Sequence, residues 1–176
     1  EPGEHRARHR LAPGVDEEPF QREFPGPRSL AEALARAKAD AVARDHPLAI
    51  VVGSDQLVAL GDRILGKPGS VEAAEEQLAA MSGHVHELVT ALSVVHPEGV
   101  VSHTDVARLT MRRLSPEEIR RYVVADSPLD CAGAYKLESR GIALFERIDS
   151  DDHSAITGLP LIALTTILRS LGVDVP

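Results

Sequence analysis

Three side chains have types and positions that suit phosphate chemistry. Asp55 follows the apolar run 48–53 and is therefore expected where a strand of an α/β sheet ends, the usual place for a ligand. Lys67 stands in a rigid Gly-Lys-Pro turn, where a flexible ammonium can be directed at a phosphate. Lys38 borders the apolar stripe of a predicted helix and could point inward. Such groups can orient water and neutralise a polyphosphate.

Each of these positions also has an ordinary structural interpretation. Asp55 could cap a turn or a helix, and Lys67 could be one of many surface lysines found in turns. Lys38 could extend along its helix into solvent. Taken singly, these residues do not decide between a catalytic and a structural role.

The elements that must position these residues mix helical and extended patterns. A capping box at Ser29 and Glu32 predicts a helix over 29–45, and the β-branched run 48–53 predicts a strand buried on both faces. The segment 1–28 is predicted to be irregular. Further predictions are a hairpin over 57–65, helices begun by Ser70 and Ser115, strands over 86–95, 100–112 and 141–148, and a closing helix over 159–171.

The bulk composition bounds the class of protein. A chain of 176 residues fits one domain, and no apolar run approaches the ~20 residues that span a bilayer, so no membrane partner is expected. The net charge of -8 disfavours a nucleic acid polymer but allows a small phosphorylated ligand. Cys131 is the only cysteine, which excludes an internal disulfide and favours the cytoplasm.

Several motifs together resemble, in order and spacing, those of the Maf nucleotide pyrophosphatases. They are SDQ at 54–56, GKP at 66–68, SGHVH at 82–86 followed by Thr90, PLDCAGAY at 128–135, and GLPL at 158–161. The resemblance implies a single α/β domain over 15–176, with a central mixed sheet flanked by helices, like the inosine triphosphate pyrophosphatases. It also implies a homodimer.

The resemblance implies hydrolysis of a small-molecule nucleotide between its α and β phosphates, with a divalent cation, Mg or Mn. Asp55 then matches the proton acceptor, and Lys38 and Lys67 match lysines near the phosphates. Glu17 matches an acidic residue and would join Asp55 as a metal ligand. The alternative for Glu17 is a solvated acidic loop.

Gln56 and Glu138 indicate the branch of the family and are expected to bind substrate. Both agree with members that act on 7-methyl-GTP, and a carboxylate suits the Watson–Crick edge and the positive charge of a methylated guanine. One alternative is a pyrophosphatase for dTTP or UTP, whose members usually carry Thr and Gln at these positions. Another is a catalytically weak nucleotide-binding regulator linked to septum formation.

Two other candidates receive structural interpretations. His84 and His86 would face the same side of a strand and could suggest a metal pair, but no third soft ligand lies nearby in sequence, and His86 is expected to support the fold or the pocket. Cys131 has no adjacent base and is expected to be a buried structural thiol.

The first 14 residues, EPGEHRARHRLAPG, depart from the family pattern. Maf proteins begin with a strand followed by Ser-x-Ser-x-x-Arg-Arg, which helps bind phosphates, and this segment has neither the strand pattern nor the serines. We therefore expect residues 1–14 to form an irregular arm and the activity of the chain to be impaired.

Overall fold

A five-stranded sheet organises residues 13–175, which the computed structural model describes; most of the arm expected over 1–14 lies outside them. The strands are β1 (Val51–Leu60), β2 (Arg63–Leu65), β3 (Val85–His96), β4 (Gly99–Met111) and β5 (Phe145–Asp149), in the order β2-β1-β3-β4-β5. The expected α/β class is confirmed. The strand pairs among these residues are all antiparallel rather than mixed. The tight turns after β1 and β3 permit only antiparallel hairpins for β1–β2 and β3–β4.

Six α-helices and two short 3-10 helices flank the sheet in the described part of the chain. The α-helices are α1 (Glu18–Glu23), α2 (Pro27–Ala43), α3 (Val71–Met81), α4 (Pro116–Asp126), α5 (His153–Ile156) and α6 (Leu161–Ser170). The 3-10 helices cover Ala132–Ala134 and Arg140–Leu144. No helix among residues 13–175 is long and apolar enough to cross a membrane.

The helix starts show where local signals were sufficient. Ser70 caps α3, and Ser115 forms a capping box with Glu118 at the start of α4, as predicted. The capping box predicted at Ser29 is wrong, because α2 already begins at Pro27 and the Ser29 hydroxyl donates to the Gly26 carbonyl. A proline in the first turn suits a helix start and outweighs the later serine.

Two extended segments also differ from prediction. The strand expected over 48–53 begins at Val51 and continues to Leu60, while Leu48 is 88% exposed. Pairing with β3 over 51–59 carries the strand through its polar residues. The strand expected over 141–148 starts only at Phe145, because the backbone at Gly141 folds tightly against Lys136 and forms a 3-10 helix first.

The two faces of the sheet carry different helices. Helix α2 packs on one face through small residues, with Ala31 and Ala35 against Val89 and Ala91 of β3. The opposite face carries the largest core, built mainly with α3 and α4, and a smaller apolar cluster with α6. This division determines which side chains of β1 can meet.

Candidate active site

Asp55 lies in the middle of β1 and not at the end of a strand, which corrects the sequence-based expectation. The ladder with β3 continues past it, and Asp55 stands opposite Ala91. Side chains alternate along a strand, so Gly53, Asp55 and Leu57 all face α2. The Asp55 side chain is 9% exposed, which requires compensation for its charge.

Helix α2 comes unusually close to β1 at Gly53. A Cβ atom added there would lie 2.4 Å from the Ala35 carbonyl oxygen and 2.6 Å from the Ala39 nitrogen. Only glycine allows this approach, and it brings the turn 35–39 of α2, which includes Lys38, beside Asp55. Lys38 therefore points inward, with its Nζ 2.5 Å from Asp55 Oδ1 and its side chain 22% exposed.

Glu17 completes an acid–lysine–acid triad, which we define as Glu17, Lys38 and Asp55. Glu17 precedes α1, and its Oε1 lies 2.9 Å from Lys38 Nζ. The carboxylate thus contacts a specific cation instead of only water, although 44% of its side chain remains exposed. Three residues that are distant in sequence meet here because α1 packs against α2 and α2 packs against β1.

The electrostatics of the triad follow from its excess of one negative charge. Burial raises the pKa of Asp55; the Lys38 ammonium opposes this shift, and the Glu17 charge adds to it. Burial lowers the pKa of Lys38, but its two carboxylate partners outweigh that effect and the pKa is raised. Asp55 Oδ2 is buried and has no hydrogen-bond partner among residues 13–175. One oxygen of Asp55 is therefore left to accept a proton or a cation.

Comparison with known proteins identifies the family. A family model described as Maf-like protein matches residues 4–171. The chain belongs to the Maf family. It is 45% identical over 160 residues to a protein of Bdellovibrio bacteriovorus named 7-methyl-GTP pyrophosphatase, covering 90% of this chain and 83% of that protein. A protein of the same name from Xanthomonas oryzae pv. oryzae is 46% identical over 164 residues, covering 93% and 85%.

The donor set of this Maf site fits a hard divalent cation. Magnesium is commonly held in proteins by one or two carboxylates, with water and substrate phosphates completing its shell. Glu17 and Asp55 supply two such carboxylates on either side of Lys38, and Asp55 Oδ2 is buried without a partner in the described residues. The expected metal role of these two residues remains a prediction.

Lys67 and Glu138 lie in exposed segments of the Maf domain. Lys67 follows β2, and the adjoining Gly69 N–H donates to the Leu129 carbonyl, so the Gly-Lys-Pro turn is tied to the segment after α4. Glu138 lies between the two 3-10 helices. The structure does not bring either side chain into contact with the triad, and their roles as substrate ligands stay predictions.

Gln56 extends to the opposite face of β1 from Asp55. Its side-chain amide donates to Thr90 Oγ1 at 2.9 Å, to the Ala155 carbonyl at 2.8 Å and to the Ile156 carbonyl at 3.2 Å. Ser54 points the same way and donates to carbonyl oxygens of Ala91 and Gly158. Sequence reasoning missed this network. The signal was polar residues at 54, 56 and 90 within otherwise apolar strands.

The two histidines differ in environment. His84 lies before β3 and is exposed, whereas His86 is 1% exposed and its Nε2 lies 3.0 Å from the Tyr135 hydroxyl oxygen. Burial lowers the pKa of His86 to about 4, so it is neutral at pH 7. Its ring also packs against Tyr135 and Phe145, which agrees with the expected supporting role.

Cys131 is only partly buried, not fully buried as the sequence predicted. Burial and the neighbouring Asp130 carboxylate both raise the pKa of its thiol. A thiol that is held protonated is a poor nucleophile.

Proposed function

We propose that this Maf protein is a pyrophosphatase that hydrolyses 7-methyl-GTP to 7-methyl-GMP and pyrophosphate. The observation that carries the proposal is the triad, in which a buried carboxylate is held by a lysine and retains one unpartnered oxygen. The names of the similar proteins support the choice of substrate. A nucleotide substrate and a single cysteine also favour the cytoplasm, and a homodimer remains a prediction.

The proposed reaction assigns the proton acceptor to Asp55. A water molecule adds to the α-phosphorus, its proton passes to the Asp55 carboxylate, and the bond to the bridging oxygen breaks to release pyrophosphate. A base acts best when its pKa lies near the working pH, and burial shifts the pKa of Asp55 in that direction. Lys38 keeps Oδ2 free by bonding Oδ1 and adds positive charge beside the phosphates.

A divalent cation would supply the remaining neutralisation of the polyphosphate when it is bound. Glu17 and Asp55 would hold it, and Lys38 contacts both carboxylates. We assign Lys67 to the phosphates, because a lysine in a turn can follow the polyphosphate as a mobile point charge.

Glu138 is the residue that we assign to the base. Its carboxylate can accept two hydrogen bonds from the guanine edge and favours the cationic methylated ring. The loop that carries it is anchored on both sides: Lys136 N–H donates to the Tyr122 hydroxyl at 2.9 Å, and Arg140 N–H donates to Asp126 at 3.0 Å. An exposed side chain on an anchored loop suits recognition of a ligand.

The test is pyrophosphate release from 7-methyl-GTP, GTP, UTP and dTTP with Mg or Mn. We expect the highest kcat/KM with 7-methyl-GTP, and Glu138→Gln should reduce its advantage over GTP by about tenfold, as loss of one charged contact implies. Glu117→Gln, an exposed change on α4, is the matched control. Preference for UTP or dTTP would assign the chain to the pyrimidine alternative, and nucleotide binding without turnover would overturn the proposed activity.

A further inference from the structure

Ser54, Gln56 and Thr90 form a polar clamp behind the catalytic strand. The clamp, defined by these three side chains, lies on the face of β1 and β3 that points away from the triad. Ser54 Oγ lies 2.8 Å from the Gly158 carbonyl oxygen, and Thr90 Oγ1 lies 2.9 Å from that of Ala155. Gln56 connects to both Thr90 and Ala155.

The buried polar side chains of the clamp depend on their hydrogen bonds. Thr90 is 1% exposed, and a buried hydroxyl or amide that loses its partner costs about 1–3 kcal/mol. Apolar residues fill neighbouring positions on the same face, including Val58 and Leu88. Directional hydrogen bonds differ from apolar contacts in fixing both the position and the rotation of a strand.

The segment that receives the clamp is itself held firmly. Asp152 is 5% exposed and accepts hydrogen bonds from Ser154 N at 2.9 Å and Ile162 N at 2.8 Å, which joins α5 to the start of α6. The Leu161 N–H donates to Ser154 Oγ at 2.8 Å. Residues 155–158 therefore offer fixed carbonyl oxygens and not a mobile loop.

We infer that Ser54, Gln56 and Thr90 are positioning residues: by holding the opposite face of β1 and β3, they fix the direction in which the Asp55 side chain points. This inference rests on the proposed function of Asp55. Residues 54 and 56 are held on one side of β1, so residue 55 must project to the other side, toward Lys38. Rotation of β1 that misdirected Asp55 would break hydrogen bonds on both sides of it.

The hydrogen bonds of Gln56 within the protein also limit the contacts that its N–H groups can make with a nucleotide. Its amide nitrogen carries two N–H groups, and three acceptors inside the protein surround it. No N–H of Gln56 is left to donate to a base. The N–H groups of Gln56 therefore hold β1 against the segment 155–156 and do not contact a base.

The experiment compares Thr90→Val, which keeps the side-chain shape, with Thr90→Ser, which keeps the hydroxyl. Thr90→Val should lower kcat by ~10-fold or more with KM changed less than about twofold, equally for 7-methyl-GTP and GTP, because misplacing a catalytic group reduces the rate without weakening ground-state binding. Thr90→Ser should stay within about threefold of the parent. Ser82→Ala is the control. Ser82 Oγ accepts the Leu114 N–H at 2.8 Å, and Ser82 lies outside β1 and β3.

A second measurement does not depend on turnover. Amide hydrogen exchange along β1 around Asp55 should accelerate by ~10-fold or more in Thr90→Val relative to Ser82→Ala and to Thr90→Ser. Unchanged kcat and unchanged amide exchange in Thr90→Val would refute the proposal that the clamp positions Asp55. A parent protein that releases no pyrophosphate from any nucleotide would overturn the proposed function instead. The exchange result alone would then decide whether the clamp holds β1 in place.

Discussion

Replacing Asp55 with asparagine tests the triad most directly. Asparagine keeps the shape and can still accept from Lys38, but it cannot take a proton from water. General-base catalysis contributes about 10²–10⁴-fold. We therefore expect kcat to fall by ~100-fold or more, which corresponds to about 2.7 kcal/mol or more in the activation barrier.

The direction in which Asp55→Asn changes the folding stability can also be predicted. The pKa of Asp55 is raised in the folded protein, so its charged form is disfavoured there relative to the unfolded chain. The cost begins as pH rises through the unfolded-state pKa and is complete above the folded-state pKa. Asp55→Asn removes that cost, while Glu17 remains as a partner for Lys38. The melting temperature at pH 7 should therefore be equal to or above that of the parent.

The assay is pyrophosphate release from 7-methyl-GTP with Mg, alongside thermal melting at pH 7. Asp62→Asn is the matched control, because Asp62 is an exposed carboxylate in the turn between β1 and β2. It should keep parent turnover. If Asp55→Asn retained turnover within about threefold of the parent, Asp55 would not be the base. A large fall in melting temperature would instead refute the electrostatic reasoning.

Three further predictions concern the surroundings of the triad. Gly53→Ala should lower stability by ~2 kcal/mol or more, because its Cβ would meet α2 at 2.4 Å, whereas Gly66→Ala, with open space around it, should be nearly neutral in the same denaturant titration. His86 contributes stability that is present above its unfolded pKa of about 6.5 and lost as pH falls toward its folded pKa of about 4. Unfolding titrations of His86→Gln should therefore show a pH dependence flatter than the parent's by ~3 kcal/mol over that interval; parallel curves would contradict it. Mn added to the parent should raise its melting temperature, and the rise should shrink at least several-fold in Asp55→Asn; an equal rise would exclude Asp55 as a ligand.

The fold was predictable where local signals acted alone. The Ser70 and Ser115 caps predicted α3 and α4 correctly, because a hydroxyl three residues before a helical N–H satisfies that donor in almost any context. The strand over 48–53 was misplaced, since its end depends on the nine-residue ladder with β3 and not on its own apolar run. The pairing of two distant segments cannot be predicted from the sequence of either segment alone.

Three of the predicted site residues come together, but their geometry was not predictable. The motifs pointed to Glu17, Lys38 and Asp55, which do meet. Sequence left open whether Lys38 turned inward or reached solvent, because a residue at the edge of an apolar stripe can do either. The close approach of α2 at Gly53 decides it, and that approach depends on tertiary packing.

The pattern of residues 53–56 explains how Asp55 can be buried and still carry the proposed role of proton acceptor. Odd positions face α2, where Gly53 provides space and Asp55 meets Lys38. Even positions face the other core, where the side chains of Ser54 and Gln56 donate hydrogen bonds to backbone carbonyl oxygens. A strand with apolar residues at the even positions would be held only by contacts that tolerate small shifts, and such shifts would displace the short Lys38–Asp55 contact. Polar residues on both faces of one strand are thus expected wherever a buried carboxylate must keep a fixed direction, and that pattern is searchable in sequence.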